Sequence, residues 1–124
     1  MTHAVILTHG SLGKILLEAV ETMLGPQESV DVLSNEGQSL DQIIGSVEAR
    51  LNDSPGILFV DYCGGSPFVA CKSLRDRRPD QALISGVNLP MLLSFFTKRA
   101  RLPFRELVAT VENDAHRGIQ CIST

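Results

Sequence analysis

Short apolar runs alternate with longer segments of helical periodicity along this chain, and that alternation constrains the fold more than any other feature. It begins with Ala4-Val5-Ile6-Leu7, followed by residues 11–24, where Leu12, Ile15, Leu16, Ala19, Val20, Met23 and Leu24 recur at three- and four-residue steps. Gly25-Pro26 stops that helix. Residues 30–33 predict a second strand, Ser34-Asn35-Glu36-Gly37 a turn, and Ser39 the N-cap of a helix carrying Leu40, Ile43, Ile44, Val47 and Leu51. After the turn cluster at residues 52–56 comes Ile57-Leu58-Phe59-Val60. A strand with no polar position has no face to offer water, so this run predicts a central parallel strand covered on both sides.

The same grammar continues to the end. Ser66-Pro67 predicts an N-cap and first helical turn, with the helix running to about residue 77. Residues 82–85 predict a fourth strand, Gly86-Val87-Asn88-Leu89-Pro90 the entry to a helix through Met91, Phe95 and Phe96, residues 104–116 a last helix, and residues 119–122 a short closing strand. Right-handed crossovers between such strands place helices on both faces, which makes the expected fold a single α/β domain over residues 1–124, with a doubly wound, mostly parallel four-stranded sheet. No repeat, low-complexity tract or linker interrupts it.

Composition narrows the function. With 124 residues, 44% hydrophobic and 20% charged, the chain is long enough for one stable core and too apolar for disorder. A net charge of −3 and a pI near 5.5 argue against a nucleic-acid partner, which would call for a basic excess. Cys63, Cys71 and Cys121 are odd in number and form no C-x-x-C pair, so they predict neither a disulfide framework nor a zinc site, and fit a reducing compartment. The opening residues carry no basic stretch and only a short apolar run, which predicts neither export nor membrane insertion, and hence a cytoplasmic protein.

In open α/β sheets, chemistry gathers beyond the carboxyl ends of the strands. There lie Thr8-His9-Gly10-Ser11, Asp61-Tyr62-Cys63-Gly64-Gly65-Ser66-Pro67 and the loop at residues 86–90. An imidazole titrates near neutrality and can act as a nucleophile, and a histidine followed by Gly10 and a helix sits where backbone N–H groups welcome a dianion. With the first and third strands adjacent, Asp61 can accept from one ring nitrogen of His9 and leave the other free. Gly64, Gly65 and Ser66, opening a helix, supply N–H donors and a hydroxyl for phosphoryl oxygens. His3 and His116 lack such context and are expected at the surface or an edge, and Cys63 is expected to be a small buried residue. Lys98, Arg99, Arg101 and Arg105 are expected on a solvated face. There is no G-x-x-x-x-G-K-[ST] loop, so neither a nucleotide nor another cofactor is expected, and no metal. Two other readings fit the same loops: a receiver-like domain phosphorylated on Asp61, and a module that binds an anion without covalent chemistry.

T-H-G after the first strand, D-x-x-G-G-S-P-F after the third and G-V-N-L-P-M-L after the fourth, at these separations, resemble the IIA component of the mannose family of the bacterial sugar phosphotransferase system over nearly the whole chain. The resemblance implies a phosphoryl carrier that takes phosphate from the histidine-containing phosphocarrier protein onto His9 and passes it to a IIB partner. It implies that Asp61 orients His9 and that Ser66 contacts phosphate. It also implies a homodimer in which the closing strand lies antiparallel against the partner's sheet. The same architecture serves dihydroxyacetone kinase phosphotransfer subunits, and a regulatory role without transport is a further variant. Cys63, Val69 and Gly13 depart from the family's usual aromatic or apolar residue, asparagine and alanine at those places.

Overall fold

The computed structural model describes residues 1–123. Four strands, β1 (His3–Thr8), β2 (Val30–Ser34), β3 (Gly56–Val60) and β4 (Gln81–Ile84), alternate with the helices α1 (Leu12–Leu24), α2 (Leu40–Glu48), α3 (Ser66–Arg77), α4 (Leu89–Lys98) and α5 (Phe104–Arg117). The strands form one parallel sheet in the order β2-β1-β3-β4. The chain steps outward from β1 to β2 on one side and from β3 to β4 on the other, so the winding reverses between β1 and β3. The crevice of a doubly wound fold opens at such a reversal.

Side chains alternate across the two faces of β1 and β3, and both faces are buried. Ala4, Ile6, Ile57 and Phe59 meet Val20 of α1 and the apolar faces of α4 and α5. Val5, Leu7, Leu58 and Val60 meet Ile43 and Val47 of α2 and Ala70, Cys71 and Leu74 of α3. The rings of Phe59 and Phe95 lie edge to face at 5.3 Å, and truncating Phe59 to alanine would cost about 3–5 kcal/mol. Local signals agree with this packing. Ser39 caps α2 in a reciprocal capping box with Gln42, and Asn88 caps α4 by accepting from the Met91 N–H at 2.8 Å.

Residues 119–122 form no strand within this chain: β2 and β4 are the sheet's edges, and Ile119 and Ile122 stand exposed with no ladder partner in their own chain, the expected pairing being with a second copy. Three sequence expectations need correction. Cys63 is exposed, and it is Cys71 that is buried, in the α3 contact with the sheet, where burial pushes its thiol up to about 12. Arg99 is buried rather than solvated. Its guanidinium donates to the carbonyls of Thr2, Glu28 and Ser29 and rests on the rings of Phe95 and Phe96, so its charge is met by main-chain acceptors and aromatic faces. His3 lies on an interior strand and is half-buried, whereas His116 is exposed as expected.

Candidate active site

β1 ends in a buried Thr8, whose hydroxyl accepts from the Gly13 N–H at 2.8 Å and so satisfies a donor in the first turn of α1. Gly13 is there because α1 comes down close on the sheet: a Cβ would stand 3.1 Å from Ile6 Cγ2 and 3.2 Å from the Thr8 hydroxyl. Between them the chain turns at Gly10, in the left-handed region with φ +54°. His9 is thereby left at the sheet's rim with its side chain about 40% exposed.

Asp61 follows β3, the neighbour of β1, and one of its oxygens holds His9 twice. Oδ2 accepts from the His9 backbone N–H at 3.0 Å and from ring Nδ1 at 2.8 Å, while Oδ1 accepts from the Tyr62 N–H at 3.2 Å. Burial pushes the Asp61 carboxyl up, but these hydrogen bonds and the attraction of the imidazole outweigh it and hold the group below its ordinary value of 3.8. An ionised carboxylate can only accept, so Nδ1 carries the proton and the lone pair of the neutral ring is on Nε2. Nε2 faces the start of α3: a Cβ on Gly65 would stand 3.0 Å from it.

The expected anion-binding residues meet at this end of the sheet. Gly65, at φ +85°, occupies the N-cap of α3, and Ser66 is its first residue, so the predicted capping role of Ser66 passes to a glycine that makes no side-chain cap. The first-turn N–H groups of a helix lack intrahelical partners and carry the positive end of its dipole, and Pro67 falls where a missing N–H costs nothing. Asn35, which sequence reasoning took only as a turn residue, ties the three loops together. Its Oδ1 accepts from the Gly10 N–H and its Nδ2 donates to the Ser66 hydroxyl, each at 3.3 Å. The signal was present, because Asn35 follows β2 as His9 follows β1 and Asp61 follows β3. Tyr62 was missed too; its ring centroid lies 5.3 Å from that of His9. The loop at residues 86–90 serves the fold, since the Val87 N–H donates to the Val60 carbonyl and Asn88 caps α4.

A parallel α/β domain that gathers an imidazole and its orienting carboxylate against a helix N-terminus is the class that fold and site define. The chain belongs to the mannose-type IIA family of the sugar phosphotransferase system: the family model described as "PTS system fructose IIA component" matches residues 3–112. It is 34% identical over 129 residues to the mannose-specific EIIAB component of Escherichia coli K12, an alignment covering 98% of this chain and 40% of that protein. The chain therefore spans well under half the length of that relative. It is 28% identical over 130 residues to the fructose-specific EIIA component of Bacillus subtilis, covering 99% of this chain and 88% of the other. The crystal structure of phosphotransferase system component EIIA from Streptococcus agalactiae superposes with a TM-score of 0.92 at 26% identity, covering 98% and 97% of the two chains. Among the described residues, no helix is long and apolar enough to cross a membrane.

Proposed function

We propose that this protein is a cytoplasmic phosphoryl carrier that accepts phosphate on His9 Nε2 from the histidine-containing phosphocarrier protein and delivers it to a IIB partner in sugar uptake. The observation that carries this reading is the 2.8 Å contact between His9 Nδ1 and Asp61, which leaves Nε2 as the free nucleophile beside the α3 N-terminus. In the acceptance step the N–P bond of the donor breaks as a new one forms at Nε2, and the positive charge arising on the ring is met by Asp61. Gly64, Gly65 and Ser66 lie at the start of α3 and supply the donors that phosphoryl oxygens need, while Gly10, whose N–H is held by Asn35, makes the turn that presents His9. Phosphorylation of Asp61 itself is disfavoured, because both of its oxygens are already accepting hydrogen bonds.

Incubation with phosphoenolpyruvate, Enzyme I and the phosphocarrier should add one phosphoryl group that is labile to acid and stable to base. A base-labile product would point to an acyl phosphate on Asp61, and no product at all would reject the carrier reading.

The exposed tail supports a homodimer. Ile119 and Ile122 stand in solvent, and a cavity of about 500 Å³ bordered by Ile84, Met91, Val108 and Ile119 runs beside the unpaired edge of β4. A second copy's tail pairing with that edge would cover both. Light scattering should give a dimer that is lost on deleting residues 119–124; a monomeric intact chain would refute the exchange and leave the phosphohistidine untouched.

A further inference from the structure

We infer that Tyr62 is a phosphate-contacting residue, whose phenolic O–H donates to the phosphoryl group while that group is on His9; the inference rests on the phosphohistidine reading above. The Tyr62 hydroxyl and His9 Nε2 converge on one point. A Cβ at Gly65 would stand 3.0 Å from Nε2, 3.1 Å from Cε1 and 3.2 Å from the Tyr62 hydroxyl, so the phenol and this edge of the imidazole border one small space, into which the oxygens of a phosphoryl group on Nε2 extend. The ring is held there by what lies under it. A Cβ at Gly64 would meet Tyr62 Cε2 at 2.7 Å, so only glycine lets the ring lie across this loop, and the ring is tilted 33° to the imidazole at 5.3 Å. The Tyr62 N–H donates to the carboxylate that fixes His9, which ties phenol and imidazole to the same anchor.

Burial does not account for this placement. Tyr62 is 54% exposed, one of the larger exposed apolar residues of the chain, yet its polar tip is turned toward Gly65 and the imidazole. A phenol is a good donor to an oxyanion and, unlike lysine, adds no charge that would have to be stripped away when phosphate leaves. Tyr62 forms and breaks no covalent bond. As the N–P bond loosens, charge on the phosphoryl oxygens falls toward that of metaphosphate, so a donor to those oxygens holds the phosphorylated state more than the transition state and slows its loss to water.

The test uses the sequence itself, which contains one tyrosine and no tryptophan, so ultraviolet tyrosine emission reports Tyr62 alone. Phosphoramidate, which transfers its phosphoryl group to imidazole with release of ammonia, labels His9 without any protein partner. Emission should change in proportion to the label and revert as it hydrolyses. Phosphorylated Tyr62→Phe, which keeps the ring and loses the O–H, should hydrolyse roughly tenfold faster at neutral pH. Unchanged emission at full labelling, or equal hydrolysis rates for wild type and Tyr62→Phe, overturns the role of Tyr62. If phosphoramidate labels His9 with both effects while the phosphocarrier cannot, the carrier reading fails and the Tyr62 contact stands. A His9 that takes phosphate from neither donor overturns both.

Discussion

A histidine faces an aspartate at each end of strand β1, His3 as its first residue and His9 just beyond its last. At the amino end, His3 Nε2 lies 3.1 Å from Asp31 Oδ2 on β2, but off the hydrogen-bonding line, so this buried nitrogen makes no hydrogen bond. At the carboxyl end, His9 presents Nδ1 to Asp61 at 2.8 Å while its own backbone N–H donates to the same oxygen. The first pair is a contact between neighbouring strands. The second is fixed through main chain and side chain together, in a side chain about 40% exposed. Their surroundings differ in sign as well. α1 and α2 run toward the amino ends of the strands and finish there at Leu24 and Glu48, presenting carbonyl ends, whereas α3 begins at the carboxyl end beside His9. Parallel topology thus gathers helix N-termini around the His9–Asp61 pair and helix C-termini around the His3–Asp31 pair.

The largest expected effect breaks the comparison outright. His9→Ala should reduce acid-labile labelling by the phosphocarrier to background, while His3→Ala should label at the wild-type rate, measured by intact mass over time. Labelling that persists in His9→Ala, or disappears in His3→Ala, would show that the topological argument picks the wrong end of β1.

The carboxylates come next. Asn at position 61 keeps an oxygen to accept from His9 but cannot stabilise the cationic ring formed during transfer, so Asp61→Asn should slow transfer on the order of 100-fold while the fold survives. Asp31→Asn, at the other end, should leave the rate unchanged. Rapid-quench measurement of both variants checks this, with circular dichroism to confirm folding; equal rates for the two would reduce Asp61 to a strand-end residue.

Much of this arrangement was legible in the sequence, because a doubly wound sheet turns a local pattern into an address. The run Ile57-Leu58-Phe59-Val60 marks a central strand, and whatever follows it must emerge at the crevice, which is how Asp61 could be paired with His9 across 52 residues. What was not legible depended on long-range fit. Arg99 reads as one of a group of surface cations, and it is the carbonyls of residues 2, 28 and 29 together with the rings of Phe95 and Phe96, brought to it by the fold, that make its burial tolerable. Ser66-Pro67 reads as a cap followed by a first turn, but the left-handed Gly65 shifts the helix start by one residue and frees the Ser66 hydroxyl for Asn35. The tail's alternation predicts a strand, yet a strand exists only where an edge receives it, and no edge of its own chain does.

The smallest expected effect is on stability, and it sharpens the account of the carboxyl-end pair. The folded protein holds Asp61 ionised further into acid than an unfolded chain, whose carboxyl titrates near 3.8, because the His9 hydrogen bonds outweigh the penalty of burial. As pH falls, the unfolded chain therefore binds this proton first. The stabilisation due to the ionised carboxylate is complete above 3.8 and is lost as pH drops through the lower folded value. Asp61→Asn has no proton to take up, so it should be less stable than wild type at neutral pH, and the gap should close progressively below 3.8. Urea midpoints of the two proteins across an acid series measure the gap directly. A gap that stays constant to the acid limit would mean that the fold does not favour the charged carboxylate, and the proton would then no longer be assigned to Nδ1 on electrostatic grounds.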